Sequence, residues 1–266
     1  MAIQTSVPQT GAEARQLIRE GRFRQPTSGV APHFVQANVA ILPRDVAFEF
    51  LLFCQRNPKP CPVVEVIEAG RVEAALTAPG SDIRTDVGLY KVFKNGELVD
   101  EPDSLESHWR NDLVTFLLGC SFSFEHALLA NGIDLPYYGT DRNVPMFVTD
   151  IETEPAGPFS GPMVVSQRWI PSGRVVKAVQ ATSRFPETHG APVHIGDPAG
   201  IGISDITKPD YGDVWEQGSA DDVPVFWACG VTPQAVAMAS KPELMITHSP
   251  GHMFITDLKD EDLAVL

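Results

Sequence analysis

Cysteine is scarce in this chain. Cys54, Cys61, Cys120 and Cys229 are too few and too scattered for a disulfide framework in 266 residues. None of them forms a CxxC pair, which removes the commonest structural zinc site. No apolar run approaches the ~20 residues of a membrane-spanning helix. The opening MAIQTSVPQTGAEARQ lacks a basic segment followed by an apolar one, so no secretory signal is expected. Basic residues are in deficit too: 20 Lys and Arg against 34 Asp and Glu leave a net charge of −14. Nucleic-acid phosphates would be repelled by such a chain. These absences predict a cytoplasmic protein with reduced thiols and exclude nucleic acid and membrane as partners.

What is present describes a globular α/β chain. The 43% hydrophobic content is ordinary for a packed core. The length suits one large domain or two smaller ones sharing a core. Thr10-Gly11-Ala12-Glu13 reads as a capping box before a helix with Ala14, Leu17 and Ile18 on one face. A second helix is expected over 44–56, ended by Asn57-Pro58, and then a strand over 62–67. The apolar run at 87–93, Asn95-Gly96 and Leu98-Val99 form the strongest hairpin signal. The spacing of Trp109, Leu113, Phe116 and Leu117 predicts a helix that stops at Gly119. Runs at 144–149, 162–170 and 174–184 read as strands, the last two joined by a Pro171-Ser172-Gly173 hairpin. Finally 223–228, a helix starting at Thr232-Pro233, and 244–247 have the strand–helix–strand texture of a parallel sheet. Cys229 and His248 fall at the carboxyl ends of those strands, where ligands of such sheets gather.

Chemistry-bearing side chains are densest between Phe116 and Thr149. A short helix is expected after Ser123, carrying Glu125, His126, Leu128 and Leu129 and ending at Asn131-Gly132. Cys120-Ser121-Phe122-Ser123 then becomes an elbow ahead of a helix N-terminus. Unpaired N–H groups and the helix dipole there suit a carboxylate and would lower the pKa of a thiol. His189, His194, His248 and His252 have the wrong spacing for HExxH, so no metal is expected on them. His33 and His126 read as structural.

The passages GVAPHFVQANVAILP, FCQRNPKPCPVVEV, DIRTDVGLYKVFKNGEL, FLLGCSFSFEHALL, GIDLPYYGTDRNVPMF, HIGDPAGIGI and ITHSPGHMFITDL resemble the hydro-lyase family related to D-glutamate cyclase. They span nearly the whole chain in order. The resemblance implies a three-layer α/β/α domain with a mixed or parallel sheet, built from residues 1–84 and 205–266. An α+β domain of two layers, residues 85–204, would be inserted into it. It also implies a cofactor-independent lyase acting on a small acidic substrate, of the kind that dehydrates D-glutamate to 5-oxo-D-proline.

Such a ring closure needs a base for the amine, an acid for the departing hydroxyl and donors for the tetrahedral oxygen. The α-carboxylate needs an anchor, for which a forked arginine is the best shape. On that chemistry Cys120 is a candidate nucleophile through a thioester, Glu125 an acid/base, and His194 or His248 a base. Arg142 is the candidate clamp, with Ser121, Ser123, Tyr138 and Cys229 as further substrate contacts and Asp197 placed to orient an imidazole. Plainer readings stand beside these: Arg142 paired with Asp141, Cys120 as a core thiol, Ser123 as an N-cap, Asp197 as the start of the Pro198 turn. Two other functions use the same residues. One is a cofactor-independent racemase or epimerase with Cys120 and Cys229 on opposite faces of the substrate carbon; the other is a non-catalytic binding protein for acidic metabolites. A homo-oligomer is compatible with the sequence.

Overall fold

The structure is a computed structural model that describes residues 7–265. It is a mixed α/β fold with two sheets, and every strand pair in both is antiparallel. The first sheet is organised around β1 (Phe34–Pro43). One edge of β1 pairs with β5 (Leu113–Gly119) from Ala37 to Pro43. Its other edge is shared: β10 (Met245–His248) covers Ala40 and Ile41, and β11 (Phe254–Lys259) covers Phe34 to Ala37. Beyond β5 lies β2 (Val63–Ile67), and beyond β10 lie β3 (Tyr90–Lys94) and β4 (Glu97–Asp100).

Both faces of this sheet are covered. Ala37, Val39, Ile41 and Leu117 pack into one core with Ile83, Tyr90 and Leu105. Ala40, Leu42 and Phe116 face the other way, onto Phe50 and Phe53 of α2 (Arg44–Arg56) and onto Phe159. The Phe50 ring meets Phe116 and Phe159 edge-on at 4.9 and 5.2 Å, a favoured aromatic geometry. At the sheet's rim α1 (Gly11–Arg19) starts where Thr10 Oγ1 accepts the Glu13 N–H, as the capping box predicts.

The second sheet runs β6 (Met146–Glu152), β7 (Pro162–Pro171), β9 (Asp222–Ala228) and β8 (His194–Ile195). Two short helices, α3 (Glu125–Ala130) and α4 (Val175–Ser183), bury Leu128 and Ala178 against Val164, Ile170 and Trp227 of its strands. A further helix, α5 (Thr232–Ser240), connects β9 to β10.

Three expectations are corrected. The stretch read as a helix near Trp109 is the strand β5, because all seven of its residues are buried between two covered faces. A strand buried on both sides is continuously apolar, and part of that run mimics helical spacing. The stretch 174–184 is a helix, not a strand: a 3-10 turn at Ser172–Arg174 leads into it. It buries Ala178 and Thr182 one turn apart while Val176 stays 68% exposed. The parallel sheet is replaced by antiparallel pairing, since β9 and β10 belong to different sheets and α5 bridges them.

Candidate active site

β5 delivers the chain to the elbow. A Cβ at Gly119 would lie 1.8 Å from Glu187 O, so the strand passes this point only with glycine. Cys120 then caps a 3-10 turn, Ser121–Phe124, its Sγ accepting the Phe122 N–H at 3.5 Å. The turn runs directly into α3, which begins at Glu125.

On the facing sheet, β7 alternates, and Ser166 and Arg168 share a side. Arg168 enters the core beneath α3 and makes charge-assisted bonds with most of its fork. Its Nη2 donates to Glu125 Oε1 at 2.8 Å and to Ser121 Oγ at 3.2 Å. Its Nη1 donates to Ser166 Oγ at 3.0 Å, and its Nε to Tyr137 Oη at 2.6 Å. Tyr137 passes its own hydroxyl proton on, donating to Glu125 Oε1 at 2.7 Å. The second oxygen, Oε2, accepts from Ser28 Oγ at 2.7 Å. The rings of Phe124, Tyr137 and Trp227 surround the guanidinium, each centroid within 6 Å of Cζ.

Burial sets the proton affinities. It raises the Glu125 carboxyl above its ordinary value, against the pull of Arg168 and its three hydrogen bonds. Burial also lifts the Tyr137 hydroxyl well above its ordinary value. The Cys120 thiol is raised rather than lowered, which reverses the expectation for the elbow. A four-residue 3-10 turn supplies little dipole, and the loss of water around the sulfur outweighs it. Burial likewise pushes the Cys229 thiol up to about 11.

A cavity of about 220 Å³ opens beside this network, and Tyr137, Gln167 and Arg168 are among its lining residues with Trp169 and Trp215. Gln167 is 2% exposed, and its Nε2 has no hydrogen-bond partner among the described residues. Asp134, Glu216 and Asp222 also line the cavity.

The remaining sequence candidates are distributed around it. Ser121 and Glu125 join the network directly, and Cys120 and Cys229 belong to the adjoining apolar core. Ser123 is a structural peg whose Oγ accepts the Gln36 N–H at 3.0 Å. Tyr138, half-buried, faces a second crevice beside His33 and His126. Arg142 lies over the Trp215 ring at 3.9 Å and donates to Val214 O at 2.6 Å. His194 and Asp197 meet each other at the β8 edge, Nε2 to backbone O at 2.7 Å. Asp197 caps the 3-10 turn Pro198–Ile201. His248 is buried in the first sheet, where Nδ1 accepts the Val39 N–H at 3.1 Å.

The sequence profile of the D-glutamate cyclase family matches residues 114–257. That segment includes the elbow, α3, Tyr137 and the whole second sheet. A protein of Geobacillus kaustophilus, provisionally named a hydro-lyase, is 58% identical over 98% of this chain and 99% of its own. One from Thermoanaerobacter sp. is 60% identical over 95% of each chain. Another, from Stutzerimonas stutzeri, is 56% identical over 96% of each. Both carry the same provisional name. This chain belongs to the D-glutamate cyclase family.

Within that family assignment the protein is a hydro-lyase by relationship. Passages that carried the resemblance converge in space: Ser28 precedes GVAPHF, Glu125 lies in FSFEHALL, and Tyr137 in LPYYG. Sequence reasoning missed Arg168, Tyr137 and Ser28. Arg168 had a signal, since an arginine sharing the strand face of Val164 and Ile170 must find a buried partner. Ser28 carried none.

Proposed function

We propose that this protein closes D-glutamate to 5-oxo-D-proline with loss of water, in the cavity walled by Tyr137, Gln167 and Arg168. The observation that carries this reading is one small cavity lined by three carboxylate residues and by Tyr137 and Arg168, both of which are bonded to the buried Glu125. At about 220 Å³ the cavity lies below the roughly 300–1,000 Å³ of drug-sized pockets, which favours a small metabolite. The mixed lining favours an amino acid over a plain carboxylic acid. Asp134, Glu216 and Asp222 suit an ammonium group, while the positive charge of Arg168 suits a carboxylate.

In this reading Tyr137 touches both the cavity and Glu125, so a proton leaving the attacking amine passes through its hydroxyl to the carboxylate. The same pair returns a proton to the departing hydroxyl. Folding the substrate into its ring-closing conformer supplies much of the acceleration. A thioester on Cys120 has little support, because a buried thiol with a raised pKa is a poor nucleophile. Racemisation by Cys120 and Cys229 meets the same objection.

The test is a time course with D-glutamate and, separately, L-glutamate, following 5-oxoproline by mass spectrometry. Product from D-glutamate, formed with kcat lowered at least about 100-fold and KM little changed in Tyr137→Phe and retained in Cys120→Ser, is the expected result. No product from either enantiomer overturns this substrate.

A further inference from the structure

Glu125 belongs to the buried network, but the next residue belongs to another cluster. His126 Nδ1 lies 3.1 Å from Asp260 Oδ2 and 3.0 Å from Ser123 O. The His33 ring packs edge-on against His126 with centroids 4.7 Å apart. One ligand atom from each of His33, His126 and Asp260 lies within 4.8 Å of the other two. Three separate segments supply them: the loop before β1, helix α3, and the turn after β11. A backbone bond from Asp260 N to His33 O, 3.0 Å long, holds two of those segments together.

An ordinary histidine–aspartate pair accounts for only part of this. It uses Asp260 Oδ2 and leaves Oδ1, on a side chain 3% exposed, with no partner among the described residues. A second oxygen in the same crevice is orphaned. Gln36 lines it, and its amide is fixed by Nε2 bonds to Thr27 O and Val30 O. Its Oε1 has no partner among the described residues. Buried acceptors without donors are costly unless a cation answers them. The crevice measures about 10 Å³, room for one ion or water and too little for an organic ligand.

We propose that His33, His126 and Asp260 bind a single divalent transition-metal ion. Two imidazoles and a carboxylate suit Zn²⁺, Mn²⁺, Fe²⁺ or Co²⁺ better than the all-oxygen cations Ca²⁺ and Mg²⁺. His33 is the exposed member, so its ring is the one that closes on the ion and marks the entry side. Its backbone and that of Ala31 lie at φ 70° and 46°, a strained region that folds keep where side-chain placement requires it. This site does not depend on the substrate proposed above.

The experiment measures binding directly. Full-length protein is stripped with EDTA, dialysed free of chelator, and titrated with Co²⁺ followed by visible absorption and with Zn²⁺ by calorimetry. One ion per chain is expected, with Co²⁺ bands of a nitrogen- and oxygen-ligated ion. His33→Ala and Asp260→Asn should each weaken binding by at least about tenfold, while His194→Ala leaves it unchanged. His33 is exposed, so its variant reports even if Asp260→Asn fails to fold. Absence of stoichiometric binding, or binding unaltered in His33→Ala, overturns the proposal whatever the protein does with glutamate.

Discussion

Arg168 and Glu125 meet with Nη2 2.8 Å from Oε1, and neither side chain exposes more than 1% of its surface. Taking two charges out of water is repaid only when the remaining donors and acceptors find partners, as Tyr137, Ser28, Ser121 and Ser166 provide for most of them here. Arg168→Ala should therefore lower stability by roughly 3–5 kcal/mol, because it strands a buried carboxylate. Glu125→Gln should cost less, and the double variant less than the sum. Urea midpoints of the three proteins check this. Additive losses would show that the pair does not act as a unit.

The cysteines should be silent in the native state. All four are buried, and burial raises the thiols of Cys61, Cys120 and Cys229. Ellman's reagent at pH 8 should release no thiol within minutes from folded protein and all four in denaturant. A single fast-reacting Cys120 would revive it as a nucleophile.

Acid should weaken the fold through two histidines held neutral. Burial lowers His189 and His248 to about 4, and each is 1% exposed. The unfolded chain takes up these protons near pH 6.5, before the folded one does, so stability falls with pH between about 6.5 and 4 and then levels off. The loss is about 2 kcal/mol per histidine by pH 5. Urea midpoints at pH 7 and pH 5 should converge in His248→Asn relative to the parent. Equal pH dependence in both proteins would remove His248 as a contributor.

Gly119 is where β5 must pass a neighbouring backbone. Gly119→Ala brings a methyl to 1.8 Å from Glu187 O and should cost roughly 1–3 kcal/mol or more by overpacking. Gly173→Ala, with nothing within 4 Å of the new methyl, is the control and should be near neutral in thermal unfolding.

What could be read from the sequence was local. Asn95 and Gly96 both take positive φ, 50° and 82°, as the two-residue turn of a hairpin demands, and Lys94 pairs with Glu97. Thr10 and Glu13 declared α1 in the same way. What stayed hidden depended on distant partners. β5 is apolar throughout because cores on both faces cover it, and no window of its own sequence shows that. The β-branched residues of α4 read as strand until packing against the second sheet decided otherwise. At the candidate site Glu125 was visible as a carboxylate at a helix start. Arg168 lies 43 residues away, and Asp260 reaches His126 only because β11 returns to β1.

That return fixes an order of assembly. Ala40 pairs with Thr247 and Gln36 with Ile255, so one edge of β1 has no native neighbour until almost the whole chain has been synthesised. The strands of the second sheet all lie between residues 146 and 228 and can pair first. During translation the emerging chain can carry a paired second sheet while the first still has a bare hydrogen-bonding edge. Contacts of such long sequence separation close slowly, and until they do that edge is the part of the nascent chain open to pairing with another copy.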